Sequence, residues 1–272
     1  MFIKATYFLC IGILFSNIAC SQSADKESQK SAAASRPETE GMQEAYEEFS
    51  TDYLMGRFDP AVHPAFAEIE PALRDKEVRY LRKEALEAFR KMHAAALKEG
   101  IHLVIISATR NFDVQKRIWE NKWFGRTLLE GGLNAAKDIS SDVARARKIL
   151  EYSSMPGTSR HHWGTDLDIN SLDNDWFERG EGLVLYRWMQ AHAIEFGFCQ
   201  PYTRVGSDRQ TGYLEEKWHW TYMPLSVRLT EIAKHTMKDG LISGFAGAQT
   251  ATEIKVIQTY VLGISPACIM QQ

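Results

Sequence analysis

The sequence is poor in the features that would assign it quickly. No glycine-rich phosphate loop occurs, neither GxGxxG nor GKS/GKT, so nucleotide binding has no support. No CxxC pair or Cys/His cluster is present, which excludes a structural zinc finger. Charge is nearly balanced, with Lys+Arg 32 against Asp+Glu 35 and a net charge of −3. That balance leaves no electrostatic footprint for a phosphate backbone, and nucleic acid is not an expected partner. Internal repeats are lacking. With 44% hydrophobic and 25% charged residues, the 272-residue chain has ordinary globular composition and is long enough to bury a sizeable core.

Long apolar runs are also scarce, and the one that matters is N-terminal. Met1 to Lys4 is a short basic start, followed by apolar Ala5 to Ala19. That run is too short to span ~30 Å of hydrocarbon, which takes about 20 helical residues. Residues 1–19 are expected to be a secretory signal. Ala19-Cys20 resembles a bacterial lipobox, although Asn17 stands where an aliphatic residue is usual. Cys20 is therefore the expected lipidation site, with a lipid anchor holding the protein to a membrane of the bacterial cell envelope and facing the periplasm. Residues 20–43 are rich in Ser, Ala, Lys and Glu, lack aromatics, and read as a flexible tether. Residues 44–272 are expected to form the folded domain. Of the four cysteines, Cys199 and Cys268 then remain, either paired or as separate buried thiols.

Periodicity predicts helices over Glu77–Glu99 (stopped by Gly100), Phe112–Trp123, Ser141–Tyr152, Leu183–Phe196, Ser226–Lys238 and Ala251–Val261. Strands are expected at His102–Ala108, Thr165–Asn170 and Lys217–Tyr222. In Thr165–Asn170, Leu167 and Ile169 alternate with Asp166 and Asp168, which puts both carboxylates on one face. Few, short strands among helices point to an α+β fold, a small and mainly antiparallel sheet flanked by helices.

Two segments concentrate chemistry. Ser159-Arg160-His161-His162-Trp163-Gly164-Thr165-Asp166-Leu167-Asp168 and Glu216-Lys217-Trp218-His219-Trp220 together hold three His, two Asp and a Glu among aromatics. A hydrolytic zinc site needs three His or carboxylate ligands and an open water position. His161, Asp168 and His219 meet that count and leave Glu216 free as a base.

The pattern Ser-x-His-x-x-Gly-x-x-x-Asp followed by Glu-x-Trp-His resembles the LAS zinc peptidases. This group includes the D-alanyl-D-alanine carboxypeptidases and dipeptidases of cell walls and shares its fold with the hedgehog N-terminal domain. Upstream, Arg110 at a strand end followed by Gln115 is similar to a third motif of that family. The resemblance implies a Zn2+ cofactor on His161, Asp168 and His219, with Glu216 as general base and then acid. It implies Arg110 on the scissile carbonyl oxygen, and Ser159 and Gln115 positioning a peptidoglycan stem peptide. Asp166 departs from the pattern, where a small residue such as Ala is usual, and by alternation it competes with Asp168 as a ligand.

The expected function is a zinc-dependent D-alanyl-D-alanine carboxypeptidase, acting as a monomer. A D,D-dipeptidase, a peptidoglycan endopeptidase and a non-catalytic zinc module that binds wall are the alternatives. An Fe(II) oxygenase also uses two His and one carboxylate, but its chemistry gives Glu216 no task. His63, His93, His102, His192 and His235 are expected to be satisfied core residues, His162 to be structural, and Asp173 and Asp175 to form turns.

Overall fold

The structure, a computed structural model, describes residues 49–206 and 208–269. The signal, the Cys20 lipidation site and the tether expected over residues 1–43 lie outside the described residues. Among the described residues no helix is long and apolar enough to cross a membrane.

The chain opens with a short helix, α1 (Thr51–Leu54), capped by Ser50, whose hydroxyl accepts from the Tyr53 amide. A two-stranded antiparallel ribbon follows, β1 (Phe66–Glu68) with β2 (Tyr80–Arg82). The helix predicted from Glu77 begins only at Lys83, as α2 (Lys83–Lys98). Tyr80 and Leu81 fit a helical face by spacing, but they are drawn into the ribbon, and the Arg82 amide donates to the Gly164 carbonyl oxygen. From Lys83 the apolar spacing holds, and Ala85, Leu86, Phe89, Met92 and Ala96 are all buried.

The main sheet has four strands: β3 (Ile105–Ser107), β4 (Asp166–Ile169), β5 (Phe198–Cys199) and β6 (His219–Tyr222). Their order is β3-β4-β6-β5 and every pairing is antiparallel. The expected α+β class with a small antiparallel sheet is what the chain adopts. Leu167 and Ile169 face a core shared with Leu86, Phe89, Met92, Leu103, Ile105, Phe177, Phe198 and Trp220. Alternation along β4 then turns Asp166 and Asp168 to the opposite face, where the polar cluster described below lies.

Between β3 and β4 lie α3 (Phe112–Trp123), α4 (Ala135–Asp138) and α5 (Asp142–Ile149). Asn111 caps α3 by accepting from the Val114 amide, so this helix has the predicted limits. The predicted Leu183–Phe196 helix is α6 (Gly180–His192) continued by a 3-10 turn to Phe196, and left-handed Gly197 ends it. α7 (Met223–Thr236) begins three residues earlier than predicted because Pro224 suits a helical first turn. The predicted Ala251–Val261 helix is broken. α8 (Ala251–Ile254) stops at left-handed Lys255, and a wide turn follows over Ile257–Val261. Asp239 takes the Ile257 amide proton that an unbroken helix would direct to its own backbone.

Cys199 and Cys268 are disulfide-bonded, with Cα atoms 5.6 Å apart. The bond ties the end of the described chain to β5.

Candidate active site

The Ser159–Asp168 motif is a 3-10 turn, Arg160–Trp163, delivering the chain into β4. Gly164 makes the junction possible. Its φ is +75°, and a Cβ there would sit 2.3 Å from the Phe66 ring. Across the sheet, Asp168 is paired in register with His219 and Asp166 with Thr221. Three elements therefore converge on one buried point: the turn brings His161, β4 brings Asp168, and the start of β6 brings His219.

His161, Asp168 and His219 each offer a ligand atom within 4.8 Å of the others. His161 Nε2 lies 3.3 Å from Asp168 Oδ1, and His219 Nδ1 lies 3.2 Å from the same oxygen. Ligands about 2.0–2.1 Å from a tetrahedral ion are roughly 3.3 Å apart, so the spacing suits such an ion. Neither His161 Nε2 nor Asp168 Oδ1 makes a hydrogen bond, although both are fully buried. Orphaned buried polar atoms are costly, and a cation between them removes the cost. His161 Nδ1 faces the Ala108 carbonyl oxygen at 2.8 Å, an arrangement that puts the ring proton on Nδ1 and leaves Nε2 bare.

The electrostatics agree. Burial disfavours charge on Asp168, yet His161 and His219 hold its carboxyl well below the usual range. Burial likewise opposes charging His219, but Asp166, Asp168 and Glu216 lift it well above an ordinary imidazole. Without a metal, this cluster draws a proton onto His219; the donor set fits a dication in its place.

Asp166 does not compete for that position. Its Oδ2 accepts from Arg160 Nε at 3.2 Å and lies 2.9 Å from His219 Nε2. Its Oδ1 accepts from the Thr165 and Thr221 hydroxyls at 2.7 and 2.6 Å. A carboxylate has about four acceptor positions, and all of them are taken by protein groups.

Glu216 Oε2 is 3.1 Å from His219 Nδ1. Burial raises its carboxyl above the ordinary value, and His219 only partly offsets this. Arg110, just past β3, points its Nη1 to within 4.0 Å of Asp168 Oδ2, and its Nε has no hydrogen-bond partner. Ser159 is buried with its hydroxyl unpartnered. Gln115 is buried too. Its Nε2 donates to the Ser154 carbonyl oxygen, which leaves only Oε1 unengaged.

Several residues at the site escaped the sequence reading. Tyr202 packs its ring on that of His219, centroids 4.7 Å apart, and no motif announces it. Lys122 donates from a largely desolvated ammonium to the Ser153 hydroxyl; burial and Arg110 push it below an ordinary lysine. Thr221 could have been found, since it lies two residues beyond His219 on the same strand face. His162 is structural, as expected. By contrast His63, His93 and His192 are half-buried and His102 and His235 exposed, so none is a core residue, and none joins the cluster. Asp173 does form a turn, accepting from the Asp175 amide.

The sequence model described as VanY, D-alanyl-D-alanine carboxypeptidase, matches residues 78–225. YodJ of Bacillus subtilis, whose name places it with carboxypeptidases, is 32% identical over 174 residues, 62% of this chain and 56% of that protein. A D-alanyl-D-alanine carboxypeptidase of Enterococcus faecalis is 30% identical over 129 residues, covering 47% of this chain and 43% of the relative. The chain thus spans about half the length of the curated relatives it matches. Among solved structures, the LdcB LD-carboxypeptidase aligns with TM-score 0.46 and 23% identity over 76% of this chain and 78% of that one. VanYB in complex with D-Ala-D-Ala aligns with TM-score 0.44 and 23% identity over 64% and 93%. The family match runs from just before β2 into the first turn of α7, more than half of the chain, and takes in Arg110, the His161–Asp168 turn and Glu216–His219. On that extent, this chain belongs to the VanY family of D-alanyl-D-alanine carboxypeptidases.

Proposed function

We propose that the chain is a zinc peptidase that hydrolyses the C-terminal peptide bond of peptidoglycan stem peptides, releasing D-alanine. The observation that carries this reading is the convergence of His161 Nε2, Asp168 Oδ1 and His219 Nδ1, with the Glu216 carboxylate 3.1 Å from the last of them. His161, Asp168 and His219 would hold the ion. Zinc held there supplies Lewis acidity, enough to lower the pKa of a water to about 7.

The chain's own groups account for the rest. Glu216, buried and with its carboxyl raised, accepts the proton of the attacking water and returns it to the departing amine. Arg110 donates to the carbonyl oxygen as negative charge gathers on it, a contribution that grows toward the transition state. Ser159 Oγ and Gln115 Oε1 have no protein partner and hold the peptide. Burial of the cluster keeps bulk water out, which strengthens each of these interactions.

The reading includes the place of work. Residues 1–19 direct export, Cys20 carries lipid, residues 20–43 act as tether, and the domain over residues 44–272 acts as a monomer on the cell-envelope wall. Replacing Cys20 by Ser should move the protein from the membrane to the soluble fraction; continued membrane association would exclude the anchor.

The substrate test is product identity. A stem pentapeptide ending in D-Ala-D-Ala is incubated with the zinc-loaded protein, and its products are identified by mass spectrometry. Release of single D-Ala, abolished by chelator and restored by zinc, is the expected result. Release of a dipeptide, or cleavage only of cross-linked wall, would replace the carboxypeptidase reading with the dipeptidase or endopeptidase one.

A further inference from the structure

We propose that Asp166, clamped by Arg160, is a positioning residue that fixes the orientation and proton placement of His219 so that Nδ1 is presented bare to the metal. This rests on the metal reading above. Asp166 lies outside the ligand set that the resemblance implies, His161, Asp168 and His219.

An imidazole has two nitrogens, and a neutral ring carries a proton on one of them. His219 Nε2 lies 2.9 Å from Asp166 Oδ2, and an ionised carboxylate can only accept. With Nδ1 given to the metal, the ring proton sits on Nε2, where Asp166 accepts it. Nδ1 is left with its lone pair aimed at the point shared with Asp168 Oδ1, at 3.2 Å. Without Asp166, the carboxylates beside Nδ1, Asp168 Oδ1 at 3.2 Å and Glu216 Oε2 at 3.1 Å, would draw the ring proton to Nδ1, the nitrogen the metal needs.

Asp166 can do this only if it is itself immobile and charged, and the surroundings secure both. Arg160 is fully buried and donates to Asp166 through Nε. The guanidinium is held in turn by the Thr230 hydroxyl at 2.8 Å, the Thr221 hydroxyl at 3.3 Å and the Trp163 ring 4.4 Å away. Thr230 hands its own proton to the Ser226 carbonyl oxygen, so α7 anchors the far end. The chain of contacts runs from α7 through Arg160 and Asp166 to His219, and each of the three Arg160 nitrogens makes a hydrogen bond within it.

Stability alone does not explain such an arrangement. A buried ion pair is costly to desolvate and is often matched by apolar residues of the same volume. Its distinctive product here is a fixed imidazole, and outer carboxylates of this kind typically tune metal affinity by 10–100-fold.

The test titrates zinc alone, against a competing chelator, into the metal-free wild type, Asp166→Asn and the double variant R160M/D166A. Urea unfolding of each metal-free protein is followed in parallel. The double variant leaves no unpaired buried charge, so it decides the matter if Asp166→Asn does not fold. The expected result is zinc affinity weakened by about 10–100-fold in each folded variant. Zinc affinity within twofold of wild type, with only the urea midpoint changed, would make the pair purely structural and overturn the inference. Failure of the wild type to bind zinc would instead remove the metal reading, and this inference with it.

Discussion

His162 faces the carbonyl oxygen of Arg110 across 2.6 Å through Nδ1, and its Nε2 accepts from the Gly157 amide at 3.0 Å. The ring must therefore carry its proton on Nδ1, and burial pushes its pKa down to about 3, so it stays neutral. Since His161 holds Ala108 in the same way, two adjacent histidines staple the segment that presents Arg110. Replacing His162 by Leu orphans two backbone groups, each worth about 1–3 kcal/mol when buried. Lower stability in urea and lower kcat with zinc content unchanged are the expected outcome, checked by denaturation, turnover and metal analysis.

Gly164→Ala tests the junction between the turn and β4. The added methyl meets the Phe66 ring at 2.3 Å, and φ of +75° is strained for alanine. Destabilisation by more than about 1 kcal/mol is expected from calorimetry. A neutral result would mean that the turn can rearrange.

The segment after β5 leads to Glu216, and the C-terminal residues brace it. The Ser265 amide donates to the Pro201 carbonyl oxygen at 2.8 Å, and Tyr260 packs on Tyr213. The Cys199–Cys268 disulfide closes this contact over 69 residues. Replacing both cysteines by Ser should cost about 2–5 kcal/mol, measured by urea unfolding of the oxidised wild type against the variant.

Acid sensitivity has a definite sign at Asp75. The Arg79 guanidinium bonds its carboxylate, which outweighs desolvation and lowers its pKa, and the Glu77 amide adds to this. A folded pKa below the unfolded one stabilises the fold above about pH 3.9 and is lost as pH falls through the folded value. The difference in melting temperature between wild type and Asp75→Asn should therefore shrink from pH 6 to pH 3. The solvent-screened pair limits the effect to less than about 1 kcal/mol.

How far the sequence alone reaches depends on how local each feature is. α3 was legible to its limits because Asn111 and the apolar spacing lie within the helix itself. The two-faced pattern of β4 was legible for the same reason, and it places Asp166 and Asp168 on the face that His219 occupies. Tyr80 and Leu81 misled because either a helix or a ribbon satisfies their spacing, and only the distant Phe66–Glu68 strand chooses. The break at Lys255 depends on Asp239, which no local window contains. The motif named residues that meet in one cluster but left the Asp166–Arg160 relation open, because Thr221 and Thr230 come from β6 and α7.

The central claim is that Glu216 moves the proton at a metal centre held by His161, Asp168 and His219. Its most direct test is zinc content and turnover of Glu216→Gln beside wild type and His219→Ala. The account predicts that Glu216→Gln retains zinc and loses about 10²–10⁴-fold in kcat, while His219→Ala loses both metal and activity. Full turnover by zinc-loaded Glu216→Gln would contradict it.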